Sequence, residues 1–109
     1  VESAPKKYTL RPSHLFADQL EELSDQEVRL IDEKLILAQQ NPFRYKSLRI
    51  PGLTKVFEIK ITLQDRYCRI IYQLDGNEIL VEGITIRKED FRDLLPLLYK
   101  AMRKRLEPD

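Results

Sequence analysis

Val56-Phe57-Glu58-Ile59-Lys60-Ile61-Thr62-Leu63 is followed, after Gln64-Asp65-Arg66, by Tyr67-Cys68-Arg69-Ile70-Ile71-Tyr72-Gln73-Leu74. Both runs alternate, and strand side chains alternate between the two faces of a sheet. Phe57, Ile59, Ile61 and Leu63 then share one face with Cys68, Ile70, Tyr72 and Leu74. The other face carries Val56, Glu58, Lys60, Thr62, Tyr67, Arg69, Ile71 and Gln73. Lys and Arg spaced along a strand are either solvated or meet an anion. Asp75-Gly76 is a hairpin signal, and a third strand runs from 79 to 86 with Gly83 marking a bulge.

Upstream, residues 8–11 read as an edge strand ended by Pro12. Ser13 caps a helix running to about residue 23, with Phe16, Leu20 and Leu23 on one side. Ser24-Asp25-Gln26-Glu27 has capping-box spacing and opens a second helix. Its stripe is Val28, Ile31, Leu35 and Ala38, and Asn41-Pro42 stops it. Downstream, Phe91, Leu94, Leu95, Leu98 and Met102 predict a final helix over about 89–105. The expected architecture is α+β: an N-terminal helical hairpin packed on one face of a small, mainly antiparallel sheet, with a C-terminal helix and a polar open face.

The chain has 109 residues, a size that forms one domain spanning 1–109. No apolar run approaches a membrane span. The lone Cys68 fits a reducing compartment, so a cytoplasmic location is expected. One His and one Cys argue against a zinc site, and no glycine-rich phosphate loop is present. His14 reads as a helix-surface residue and Cys68 as an inert buried thiol, so neither a metal nor a cofactor is expected.

The net charge of +1 hides a division. Residues 1–43 carry five cations and eight anions, residues 44–72 seven and two, and residues 73–109 seven and eight. A basic middle between acidic flanks points to a local anion site. Lys60 and Arg69 fall on the same face of neighbouring strands, and Arg87 ends the last one. Together they suit a phosphodiester, Arg by bidentate contact and Lys as a point charge. The alternative is a solvated face on which Glu58 pairs with Lys60 or Arg69.

Asn41-Pro42, Lys46-Ser47-Leu48, Gly52-Leu53, Val56-Phe57-Glu58-Ile59-Lys60, Tyr67-Cys68-Arg69-Ile70-Ile71-Tyr72 and Ile86-Arg87, in this order, resemble the pattern of the RelE/ParE superfamily of toxin–antitoxin toxins. The resemblance covers roughly residues 8–99. It implies a small sheet wrapped by a helical hairpin and a cognate antitoxin protein as partner, docked by strand addition at the edge strand or by a helix in a groove near the last helix. Its RelE-like branch, favoured here, implies a ribosome-dependent mRNA endoribonuclease that uses no metal. There the ribose 2′-hydroxyl attacks the adjacent phosphate. The ParE-like branch implies a DNA gyrase inhibitor without catalysis, and a non-toxic interaction module of the same fold is the third reading.

In the RelE-like reading the resemblance makes Lys60, Arg69 and Arg87 catalytic. Arg69 contacts the reacting phosphate, Lys60 assists proton transfer or stabilises charge, and Arg87 serves the leaving group. Lys46, Arg49 and Phe91 become RNA-binding residues. The sequence departs from the pattern at two positions. Glu58 stands where some members carry a second lysine. Phe91 stands close to a stacking tyrosine of many members, and a phenyl ring cannot transfer a proton.

Overall fold

The structure is a computed structural model and describes residues 8–85. Five strands and two helices follow in the order β1 (Thr9–Pro12), α1 (His14–Glu21), α2 (Asp25–Gln40), β2 (Lys46–Ile50), β3 (Leu53–Leu63), β4 (Arg66–Asp75) and β5 (Glu78–Thr85), with a single 3-10 turn at Pro42–Arg44 before β2. They form one mixed sheet of order β1-β5-β4-β3-β2. Only the β1–β5 pairing is parallel. The expected α+β class and the edge strand are present. The C-terminal helix lies outside the described residues. Among those residues, no helix is long and apolar enough to cross a membrane.

Two tight turns frame β4. Leu63 pairs with Arg66 around Gln64-Asp65, and Asp75 pairs with Glu78 around Gly76-Asn77. The first central residue of each loop has positive φ, +56° at Gln64 and +60° at Gly76. That conformation matches the twist of the flanking strands. Gly76 adopts it freely, whereas Gln64 carries the steric cost of a Cβ. A third turn, absent from the expected elements, joins β2 to β3 through Pro51-Gly52, with Gly52 at φ +84°. Proline then glycine at the two central positions is the type II signature.

The core lies on one face of this sheet. Phe57, Ile59, Ile61, Leu63, Cys68, Ile70, Tyr72, Leu74, Ile79, Val81 and Ile84 meet Phe16 of α1 and Ile31, Leu35 and Ala38 of α2, with Leu20 and Leu23 packed alongside. The spacing 79, 81, 84 departs from strict alternation because β5 is bulged. Ile71 pairs with Gly83 and Tyr72 with Val81, leaving Glu82 as the extra residue. The bulge returns Ile84 to the core side. Gly83 also permits close approach of α1, since a Cβ there would lie 3.2 Å from a Leu15 methyl and 3.3 Å from the Gln19 amide oxygen.

Helix α1 takes over the edge of β5 where β1 ends. The Ser13 amide donates to the Val81 carbonyl, and its hydroxyl donates to the Glu82 carbonyl while accepting from the Phe16 amide. Gln19 then behaves like a strand residue, donating to the Ile84 carbonyl and accepting from the Ile84 amide. Satisfying these edge groups matters because an unpaired buried backbone group is costly.

The expected polar face is only partly polar. Val56, Ile71 and Ile50 form a second small core on that side, with Leu15, Leu48 and Leu53 packed against it. Val56 and Ile71, placed on the open face by alternation, are therefore buried. On α2, Glu27 is buried beside Ile31 and Leu35, whereas Val28 is only half-buried.

The link from α2 to β2 is fastened to the sheet by aromatics. Phe57 and Tyr72, directly paired across β3 and β4, stack with centroids 5.3 Å apart. Phe43 and Tyr45 meet them edge-on. The Tyr72 hydroxyl donates to the Pro42 carbonyl at 2.6 Å, and burial pushes its pKa far up. Tyr72→Phe keeps the ring and leaves that carbonyl without its donor. The expected loss is about 1–3 kcal/mol, read from urea unfolding.

Glu27 completes the capping box with Ser24 and accepts from Arg66 at 3.0 Å, joining α2 to the start of β4. The Ser24 amide chiefly holds its carboxyl below the ordinary value of 4.5; burial opposes this, and the Ser24 hydroxyl and Arg66 add to it. A depressed carboxylate pKa contributes stability above the unfolded value, and that contribution disappears as pH falls through the folded one. Glu27→Gln should therefore lower the urea midpoint at pH 7, with the gap to wild type closing at pH 3.

Candidate functional site

The β3–β4 register sets Lys60 directly opposite Arg69. Opposed residues on antiparallel strands share a face, with Cβ atoms about 4.5–5.5 Å apart. One step toward the turn, Thr62 opposes Tyr67; one step the other way, Glu58 opposes Ile71. Lys46 of β2 lies opposite Glu58, and Thr85 of β5 opposite Arg69. A single face therefore carries Lys46, Glu58, Lys60, Arg69, Thr62 and Tyr67.

Two cations directly opposite each other destabilise a sheet unless an anion relieves them. Glu58 does so in part. Its carboxylate lies 3.5 Å from Nε of Arg69 and 3.9 Å from Nζ of Lys46. Glu58 is 4% exposed, the Arg69 side chain 30% and Lys46 67%. The Arg69 half of the solvated-face alternative is thus present, although Glu58 is buried and not solvated. Lys60 is exposed and has no ion pair among the described residues. Glu58 thus offsets part of the charge of Arg69 and Lys46, and the Lys60 ammonium pairs with no acid among the described residues.

Of the residues expected to act, Lys46, Lys60 and Arg69 are brought together. Arg49 is exposed at an irregularity in the β2–β3 register and pairs with none of them. Arg87 and Phe91 lie outside the described residues. Tyr67 was not among the expected site residues, yet it stands on the same face beside Arg69 and is 83% exposed. Its signal was in the alternation that placed it there.

His14 is exposed on α1, and Cys68 is buried on the opposite face, where burial pushes its thiol pKa up. Among the described residues no cluster of three or more His, Cys, Asp or Glu could hold a metal ion. The face can bind an anion and stabilise negative charge developing on it. Arg69 offers a planar fork and Lys60 a point charge.

Removing Arg69 alone strands a nearly buried carboxylate with only the more distant Lys46. Arg69→Ala should cost about 1–3 kcal/mol for the uncompensated group. Adding Glu58→Gln should recover most of that loss in a urea titration.

No protein-family model matches this sequence, and no curated protein sequence matches it. Solved structures do. A double arginine-to-alanine variant of E. coli toxin RelE in the free state is similar with a TM-score of 0.64 at 17% identity, over 83% of this chain and 96% of that one. The toxin–antitoxin complex RelBE2 from Mycobacterium tuberculosis matches with a TM-score of 0.60 at 20% identity, over 74% of this chain and 92% of that one. The archaeal RelE–RelB complex from Pyrococcus horikoshii gives 0.57 at 16%, over 75% and 97%. The resemblance read from the strand motifs is thus met in three dimensions: the chain has the fold of the RelE toxins.

Proposed function

We propose that this chain is the toxin of a toxin–antitoxin pair and cleaves mRNA on the ribosome in the manner implied by its resemblance to the RelE branch. The observation that carries the reading is the opposition of Lys60 and Arg69 on an accessible sheet face. A like-charge pair held in fixed register is unfavourable by itself and favourable around a phosphodiester.

In this mechanism the ribose 2′-oxygen attacks the adjacent phosphorus and the bond to the 5′-oxygen breaks. The products are a 2′,3′-cyclic phosphate and a 5′-hydroxyl. Negative charge builds on the non-bridging oxygens as the fifth bond forms, and Arg69 and Lys60 stabilise it most at that point. Lys46 supplies a further positive charge at the border of the site. Arg87 is assigned by resemblance to the leaving oxygen and Phe91 to a base. No metal takes part. The proposed location is the cytoplasm, where ribosomes are.

The partner in this reading is an antitoxin. One of the similar structures is a toxin–antitoxin complex and another a RelE–RelB complex. In this chain β1 and β2 are the outer strands of the sheet, and an edge strand offers backbone groups for strand addition.

Glu58 favours a second reading. Its carboxylate already engages Arg69, and it stands at a position where the resemblance gives some members a second lysine. A face whose arginine is already partly neutralised suits a binding protein without chemistry, of the gyrase-inhibitor kind or a non-toxic module.

Induced expression with mapping of mRNA 5′ ends separates these readings. The RelE-like reading expects discrete cleavages within translated messages. Measured on programmed ribosomes in the Glu58→Gln background, Arg69→Ala should lower the cleavage rate about 10²–10³-fold, the scale for removing one transition-state donor. Undiminished cleavage rejects Arg69 as a catalytic residue. Growth arrest with intact mRNA and blocked supercoiling selects the gyrase reading, and harmless overexpression the module.

A further inference from the structure

Tyr67 has no structural task in the described fold. It is 83% exposed, the most exposed of the large apolar side chains among the described residues. Neither ring contacts nor hydrogen bonds tie its side chain to other described residues. The other exposed large groups differ. Phe43 is fixed edge-on against Phe57, and Leu30 and Ile36 lie on α2. Tyr67 sits inside a paired strand, opposite Thr62 and two residues from Arg69, so its backbone is held and its ring shares a face with Lys60 and Arg69.

We propose that Tyr67, Lys60 and Arg69 form a nucleotide subsite for single-stranded RNA, with a phosphodiester on the two cations and the adjoining base stacked on the Tyr67 ring. This rests on the reading of the face as an RNA surface. Two residues along a strand span about 6.5–7 Å, a separation comparable with that between a nucleotide's phosphate and its base. Single-stranded nucleic acid is characteristically held by cations that track the backbone and aromatics that accept bases. An exposed aromatic on a rigid strand presents its face at little conformational cost. Stacking tolerates any base, so Tyr67 contributes affinity and placement and not sequence choice. Thr62, opposite Tyr67, is likewise exposed.

The test measures binding of the full chain to two labelled oligonucleotides of equal length by fluorescence anisotropy at low salt. One is single-stranded RNA, and the other has the same backbone with abasic sugars. Tyr67→Ala should weaken RNA binding about ten- to a hundredfold, the range for losing a stacking aromatic. Its abasic binding should stay unchanged. Tyr67→Phe and Tyr67→Trp should retain wild-type RNA affinity, because the ring face and not the phenol is used.

Equal loss for both oligonucleotides, or no loss for either, overturns the assignment of Tyr67. Loss of antitoxin capture with RNA binding intact also overturns it and places Tyr67 in a protein interface. The paired change Arg69→Ala with Glu58→Gln is the separate arm for the underlying reading. If it weakens both oligonucleotides while Tyr67→Ala weakens neither, the phosphate site stands and the stacking inference falls. If it changes neither, or if the wild type binds neither, the RNA reading of this face falls as well.

Discussion

The register of β3 against β4 is the constraint on which the rest depends. Strand side chains repeat every two residues, so a slip of one position would exchange the contents of the two faces. If β3 slipped, Phe57, Ile59 and Ile61 would leave the core, and Glu58 and Lys60 would enter it. Burying a carboxylate and an ammonium while exposing three large apolar side chains is unfavourable on both counts, so the alternative pairing is rejected. The two-residue turn at Gln64-Asp65 sets the same register geometrically, and the stacked Phe57–Tyr72 pair fastens it at the far end. That Gln64 is kept at positive φ shows how strongly the surrounding pairing determines the turn.

From that register the site follows. Tyr72 carries the aromatic fastening onward through its bond to the Pro42 carbonyl, which fixes the path from α2 into β2. Lys46 begins β2 and thereby comes opposite Glu58. The core on one face and the charge arrangement on the other are thus two results of one set of backbone pairings.

Much of this was legible in the sequence because it depends on short-range rules. Alternation gave the faces of β3 and β4, the capping box at Ser24 gave the start of α2, and Asp75-Gly76 gave a hairpin. What escaped depends on neighbours distant in the chain. Strand β2 is short and was seen only as a motif, although Pro51-Gly52 announced the turn that pairs it. Gly83 marked the bulge, but the reason for glycine there, the approach of Leu15 and Gln19, exists only once α1 lies along β5. The capping-box spacing marked Glu27 but not its burial, which Arg66 from across the fold makes tolerable. Val56 and Ile71 were assigned to an open face because alternation reports a side of the sheet and not what covers it.

Glu58 shows the same limit and also defines the chemistry of the site. Taken by itself it is a sign reversal in a cationic strand. In the fold it is a nearly buried carboxylate whose two oxygens face Arg69 and Lys46. In the proposed RNA reading a ligand phosphate would compete with it for Arg69, so Glu58 would weaken anion binding. The same carboxylate relieves the repulsion between Lys60 and Arg69 while no ligand is present and holds the guanidinium over the face, which limits the ordering needed on binding. Affinity and folded-state stability therefore act in opposition through one side chain. Lys60, opposite Arg69 and without an ion pair among the described residues, is in that reading the cation that meets a phosphate without first displacing Glu58.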